Sequence, residues 1–243
     1  MYRKVQPQSV VVPCGLLLLL ILLSHCVSFP VPSDASSANV DNDSNGEIIN
    51  EDFEEENSIQ MCCTWGSNLR DGKLTYNIDN IDSSKEQQDA VRNAIEEWDS
   101  RIGPLDLERI SSFTQPDIRV EFEGGSDEKV HGEEIAGETL TTFDQFGFLD
   151  NAKVTIYKEP YGHELDTSEI EQVVKHEMGH ALGLGHANFD GNLMAQRLND
   201  GTDTISDCEV KAAIEANYWK LGDHNLDNTY PYFPEDESAV CDS

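Results

Sequence analysis

His176-Glu177-Met178-Gly179-His180-Ala181-Leu182-Gly183-Leu184-Gly185-His186 is the stretch on which the reading of this chain turns. Residues four apart on an α-helix differ by about 40° of rotation and roughly 6 Å of rise, so His176 and His180 aim two imidazoles at one point. That is two thirds of a zinc site. His186 lies about 240° further round if the helix continues, facing away. Gly183 tolerates a positive φ, so the helix can stop there and turn His186 back toward the other two. Three neutral nitrogen ligands leave a metal's fourth position open to water, whose pKa a catalytic zinc lowers to about 7. Glu177 flanks that position without being needed as a ligand, and a carboxylate there takes the water's proton. The plainer reading, two ordinary helix histidines, accounts for neither Gly183 nor His186.

This stretch resembles the metzincin metallopeptidases, whose pattern is H-E-x-x-H-x-x-G-x-x-H followed by a methionine turn. Asn192-Leu193-Met194 supplies that turn, and the spacing of Met194 from His186 resembles that of the matrixins.

The remainder of the chain supplies elements in a compatible order. Leu74, Tyr76 and Ile78 alternate within Lys73–Ile78, the signature of a half-buried strand. Ser83 with Glu86 predicts a capping box, and Val91, Ala94, Ile95 and Trp98 then recur at helical spacing. Leu105–Leu107, Ile118–Phe122, Thr139–Phe143 and Ala152–Tyr157 read as further strands. Ser168 and Glu171 are expected to cap the long helix that carries His176 and His180. Ser206 to Tyr218 reads as a closing helix, capped near Thr204 or Ser206. The matrixin resemblance therefore covers roughly Leu74 to Trp219. It implies an α+β metzincin (zincin) fold: a twisted, mostly parallel sheet with an antiparallel edge strand, a long active-site helix, the methionine turn and a C-terminal helix.

Composition bounds the rest. The 243 residues carry 47 acidic and 16 basic side chains, a formal charge of -31, which argues against nucleic acid as a partner because phosphate contacts need Lys and Arg. Arg3 and Lys4 precede an apolar run from about Val10 to Val27, so residues 1–28 read as a secretory signal peptide cleaved after Cys26 or Ser28. The competing reading is a retained membrane anchor, which is the one circumstance that makes a membrane a partner. Residues 29–60 are acidic and poor in apolar side chains, a disordered linker or a propeptide, with a glycosylation sequon at Asn42. The catalytic domain is expected at 61–220 and an acidic tail at 221–243.

Of six cysteines, Cys14 and Cys26 fall in the apolar run, leaving Cys62, Cys63, Cys208 and Cys241 as candidates for two disulfides in an oxidising compartment. Bonding adjacent cysteines strains the backbone, so Cys62 and Cys63 are each expected to pair with one of the distant two.

The resemblance implies a secreted, monomeric zinc endopeptidase acting on protein or peptide substrates. His176, His180 and His186 would hold one zinc, Glu177 would be the general base, and the substrate would lie along the edge strand near Gly137–Phe143. The family's second, structural zinc is not expected: His131 suits it, but Glu138 and Lys153 stand where other ligands belong. Asp117, Glu133, Asp144 and Asp150 are oxygen donors available to calcium, though a solvated acidic loop has the same composition. The P-R-C-G-x-P-D latency segment of mammalian matrixins has no counterpart here. The rival from another class is a noncatalytic zinc-binding or adhesion protein that keeps the fold.

Overall fold

The computed structural model describes residues 56–79, 81, 83–111, 115–124, 129–130, 133–162, 164–197, 201–222 and 230–241. The leader, the Asn42 sequon, the acidic run up to residue 55 and His131 lie outside the described residues. Within them no helix is long and apolar enough to cross a membrane.

The elements in chain order are β1 (Ser58–Met61), β2 (Lys73–Ile78), α1 (Lys85–Arg101), β3 (Asp106–Arg109), β4 (Ile118–Glu123), β5 (Lys129–Val130), β6 (Glu133–Glu134), β7 (Gly137–Phe143), β8 (Leu149–Tyr157), α2 (Thr167–Ala181), β9 (Leu184–Ala187), α3 (Asp207–Ala216), α4 (Tyr218–Leu221) and β10 (Ser238–Val240). The principal sheet has the order β3-β2-β4-β8-β7. Its first four strands are parallel and β7 runs antiparallel to β8, from Gly137↔Ile156 to Phe143↔Leu149. The mostly parallel sheet with one antiparallel edge is therefore the expected one.

Both long helices form where the apolar spacing places them. In α1, Ala90, Val91, Ala94, Ile95 and Trp98 are buried; in α2, Ile170, Val173, Val174 and Met178 are. The caps differ from the expectation by a residue or two. Ser84 with Gln87 forms the box on α1, in place of Ser83 with Glu86, and Asp166 with Glu169 forms the one on α2, in place of Ser168 with Glu171. In each case a neighbouring polar residue three before a Glu or Gln satisfies the same rule. Lys175 ties the helices together. Its ammonium lies 2.7 Å from Glu97, 3.0 Å from Glu171 and 2.9 Å from the Asp203 carbonyl, which uses all three donors of a buried charge. The Trp98 indole donates to the Lys175 carbonyl at 2.9 Å, fixing α1 against α2 one residue before His176.

A second, small sheet of order β10-β1-β9 was not anticipated. β1 pairs antiparallel with both neighbours, Ile59 standing opposite Ala239 on one side and Ala187 on the other. The packed unit thus extends past 61–220 at both ends, taking in residues from the expected linker and tail. Each strand is too short to show a period, and their pairing depends on contacts more than a hundred residues apart.

The expected disulfide pairing is overturned. Cys208 is bonded to Cys241, with Cα atoms 5.3 Å apart, and Cys62 to Cys63. Register explains it: the Cys241 amide donates to the Asn57 carbonyl, so the tail cysteine sits at the start of β1, whereas Cys62 and Cys63 follow its end. Cys208, in the first turn of α3, is the partner within reach.

Removing that bond tests the arrangement. With a sequence separation of 33, the chain-entropy model gives a loss of about 3–4 kcal/mol as an upper value for Cys208→Ala/Cys241→Ala, read as a lower urea midpoint. Nonreducing peptide mapping should recover the Cys208–Cys241 peptide; a peptide linking Cys62 or Cys63 to either would refute the register.

Candidate active site

Helix α2 carries His176, Glu177 and His180, with β7 packed against it at Glu177. Its end determines where His186 goes. The backbone turns at Gly183, whose φ is +99°, a conformation that side-chain-bearing L residues rarely adopt, and a Cβ there would strike the Cys63 carbonyl oxygen. The last carbonyls are all satisfied. That of Ala181 accepts from the Trp65 indole at 2.8 Å, that of Leu182 from the Asn217 amide at 2.8 Å, and that of Gly183 from the Cys62 and Cys63 amides at 2.9 and 3.4 Å. Strand β9 then runs back with its Ala187 amide on the Met194 carbonyl at 2.8 Å, and His186 arrives beside the helical pair. Ring centroids are 4.8 Å apart for His176 and His180, 5.5 Å for His176 and His186, and 4.9 Å for His180 and His186. One nitrogen from each lies within 4.8 Å of the others, a grouping that could hold a metal ion.

Backbone carbonyls set the tautomers. His176 Nδ1 is 2.7 Å from the Leu193 oxygen and His180 Nδ1 is 2.9 Å from the Leu184 oxygen. A carbonyl only accepts, so Nδ1 carries the hydrogen in both and the Nε2 lone pair is free. Burial holds all three rings neutral: His176 is pushed well below its ordinary value by desolvation and by the neighbouring rings, His180 is lowered by desolvation, and His186 is brought to about 4. Neutral, oriented, converging imidazoles are a donor set suited to zinc.

The methionine turn is present and buried. Met194 is fully covered, and its amide donates to Asn192 Oδ1 at 2.9 Å. Its sulfur occupies the space beside Gly179, where any Cβ would collide with it. The Leu193 amide in turn donates to Glu209 Oε1 at 2.9 Å; Oε2 of the same fully buried carboxylate accepts from the Ser206 amide at 2.8 Å and from the Ser206 hydroxyl. A chain of bonds therefore runs from α3 through the turn to the His176 ring.

Glu177 is buried, and the hydroxyl of Thr139 on β7 lies 2.8 Å from its Oε2. Desolvation raises its pKa from the ordinary 4.5 to about 8, against the lowering by Thr139 and with a smaller rise from Glu138. Thr139 and Glu209 went unmarked in the sequence reading. Only Ser206-x-x-Glu209, a capping-box spacing, hinted at the second.

Among the described residues the other candidate ligands form no group of three. Asp117 is engaged by the Thr75 amide at 2.7 Å, the Thr75 hydroxyl at 2.6 Å and Asn68 at 2.9 Å, and Asp144 closes the β7–β8 turn on the Phe146 and Phe148 amides. Asp150 lends its backbone carbonyl to Asn68, and the Glu133 side chain lies outside the described atoms. Lys153 pairs with Glu121 at 2.7 Å and Glu138 accepts from the Tyr157 hydroxyl at 3.2 Å.

A helix-borne histidine pair, a third histidine past a glycine reversal and a buried methionine turn beneath them define a metzincin-type metal centre. The matrixin family model matches residues 64–218, and the chain belongs to that family. Among its relatives are metalloendoproteinase 1-MMP of Arabidopsis thaliana, 26% identical over 140 residues covering 54% of this chain and 37% of the relative, and matrix metalloproteinase-C of Caenorhabditis elegans, 28% identical over 149 residues covering 54% and 24%. The chain thus matches well under half the length of either relative.

The raised pKa of Glu177 has a signed consequence for the metal-free protein. Stability linked to this group is fully present below about pH 4.5 and is lost as pH rises through about 8, because the folded state keeps a proton that the unfolded chain releases. The urea midpoint of metal-free Glu177→Gln should exceed the parent's by a margin that grows across that interval. A margin independent of pH would contradict the burial assigned to the carboxylate.

Proposed function

We propose that this chain is a secreted zinc-dependent endopeptidase that hydrolyses internal peptide bonds of proteins, one zinc per chain being held by His176, His180 and His186. The observation that carries this reading is Glu177: a buried carboxylate next to three converging neutral imidazoles, in a chain of the matrixin family. A purely structural metal site has no use for such a group, and burying it costs stability. When bound, zinc supplies Lewis acidity that polarises the scissile carbonyl and positive charge that favours ionised Glu177.

The rest of the chemistry belongs to this chain. Glu177 takes a proton from the attacking water and hands it to the departing amine, a general base that becomes a general acid. The carbonyls of Leu193 and Leu184 keep the His176 and His180 rings in one tautomer and one orientation throughout. The substrate lies extended along β7, which stands at the edge of the sheet and offers one ladder of backbone groups. Recognition through the main chain is loosely sequence-selective, which suits a protein or peptide substrate of varied sequence. The Cys208–Cys241 bond supports an oxidising destination, in keeping with residues 1–28 serving as a signal peptide.

Two substitutions test the proposal together. Glu177→Ala should lower casein cleavage by at least about 10²–10⁴-fold, the usual worth of a positioned acid–base group, while zinc content stays at one per chain. His180→Ala should lose both zinc and cleavage. If Glu177→Ala cleaves as fast as the parent, or the parent shows no chelator-sensitive cleavage of any peptide library, the chain is a zinc-binding protein of another kind.

A further inference from the structure

Strand β7 contributes more than a backbone ladder. Its alternate residues Gly137 and Thr139 share one face, the face turned toward α2. The Thr139 hydroxyl stands 2.8 Å from Glu177 Oε2 and 3.0 Å from the Glu177 carbonyl oxygen, so one group touches both the backbone and the carboxylate of the same residue. Gly137 leaves the room that this pose needs. A Cβ there would lie 2.8 Å from Glu177 Cγ, 2.8 Å from Oε1 and 2.7 Å from Val173 Cγ1, closer than real side-chain atoms approach. The carboxylate is thus held in a slot, Oε2 tied to Thr139 and Oε1 lying over the glycine.

We propose that Thr139 is the positioning residue for the Glu177 carboxylate, holding Oε2 so that Oε1 alone is presented to the proton being moved. This rests on the endopeptidase reading above and deepens it. A glutamate has three side-chain torsions, and burial alone does not choose among them. Among the described residues the Thr139 hydroxyl is the donor bonded to the carboxylate, and it reaches it from a β-branched side chain with restricted torsion. Its location has a second consequence. The strand whose outer edge pairs with substrate is the strand whose side chain orients the base, so any shift of β7 on substrate pairing moves the base's anchor with it. Base orientation and substrate alignment are mechanically one element.

The test uses the full-length, zinc-loaded protein and the substitutions Thr139→Val, which keeps the shape and removes the hydroxyl, and Thr139→Ser, which restores it. Thr139→Val should lower kcat by roughly 10- to 100-fold with KM nearly constant, the scale of a misplaced catalytic group. Thr139→Ser should recover most of that loss. A readout independent of turnover is ligand affinity: acetohydroxamate, which shares its proton with a neighbouring carboxylate, should bind the Val variant more weakly, whereas a simple thiol that needs only the metal should bind both equally. A merely structural Thr139 would move zinc content, KM or both ligands alike. Parental kcat in Thr139→Val, or a Ser variant as impaired as Val, overturns the proposal. Should Thr139→Val fail to fold, Thr139→Ala with the same two ligands decides in the same way. A parent with no chelator-sensitive cleavage overturns the endopeptidase reading and this proposal together, whereas an active parent with an unaffected Val variant overturns the role of Thr139 alone.

Discussion

Three successive carbonyls at the end of α2 decide whether this fold has a site at all. A helix that stops leaves its last carbonyls without intrahelical partners, and inside a core each such group costs free energy. Here Ala181, Leu182 and Gly183 meet donors from three distant places: the Trp65 indole, the Asn217 side chain and the amides of Cys62 and Cys63. Those donors are themselves fixed, since Asn217 Oδ1 accepts from the Trp65 amide and the Trp219 indole donates to the Trp65 carbonyl. The reversal at Gly183 is therefore held by the segment preceding β2 and by the junction of α3 with α4. Without it, His186 would point away from its partners. The segment between β1 and β2 and the closing helices, remote from the site in sequence, are what bring the third imidazole to the other two.

The same logic operates one layer out. His176 is oriented by the Leu193 carbonyl, Leu193 by Glu209, and Glu209 is the acidic member of the box that starts α3. A carboxylate buried at 0% exposure is tolerable because its oxygens meet donors at both ends. Helix capping and ring orientation are thus two uses of one side chain. Met194 fills the space that Gly179 leaves, which packs the turn against α2 and sets how near the turn's carbonyl comes to the ring.

What was legible in the sequence was local. The zinc motif could be read because its geometry is contained in eleven residues: helical periodicity places two histidines, and a glycine's freedom places the third. The strands of the main sheet and the apolar faces of α1 and α2 were legible for the same reason. Cap positions slipped because Ser83 and Ser84, or Asp166 and Ser168, satisfy the same chemistry within two residues, and only the packed helix chooses. The β10-β1-β9 sheet and the disulfide pairing were illegible because both follow from register between β1 and chain segments more than a hundred residues away. Thr139 belongs with these. On a strand of otherwise ordinary pattern, nothing distinguishes it until α2 brings Glu177 alongside.

The core of the site is at odds with stability, and that conflict is informative. Three imidazoles and a carboxylate are withdrawn from water with their charged forms penalised, in a protein whose surface is otherwise strongly acidic. Elsewhere the large buried polar groups are matched: Lys175 uses all three of its donors, and Asn217 and Glu209 are bonded at both ends, the Thr155 hydroxyl being the buried polar side-chain atom among the described residues that has no partner. The Nε2 atoms of His176 and His180 face no such partner, and together with His186 they form a group that could hold a metal ion. Unpaired acceptors gathered at one point are unfavourable among themselves and favourable toward a cation. A metal bound there would couple its binding to the stability of the fold. The capped reversal at Gly183 stores the geometry that such binding would use.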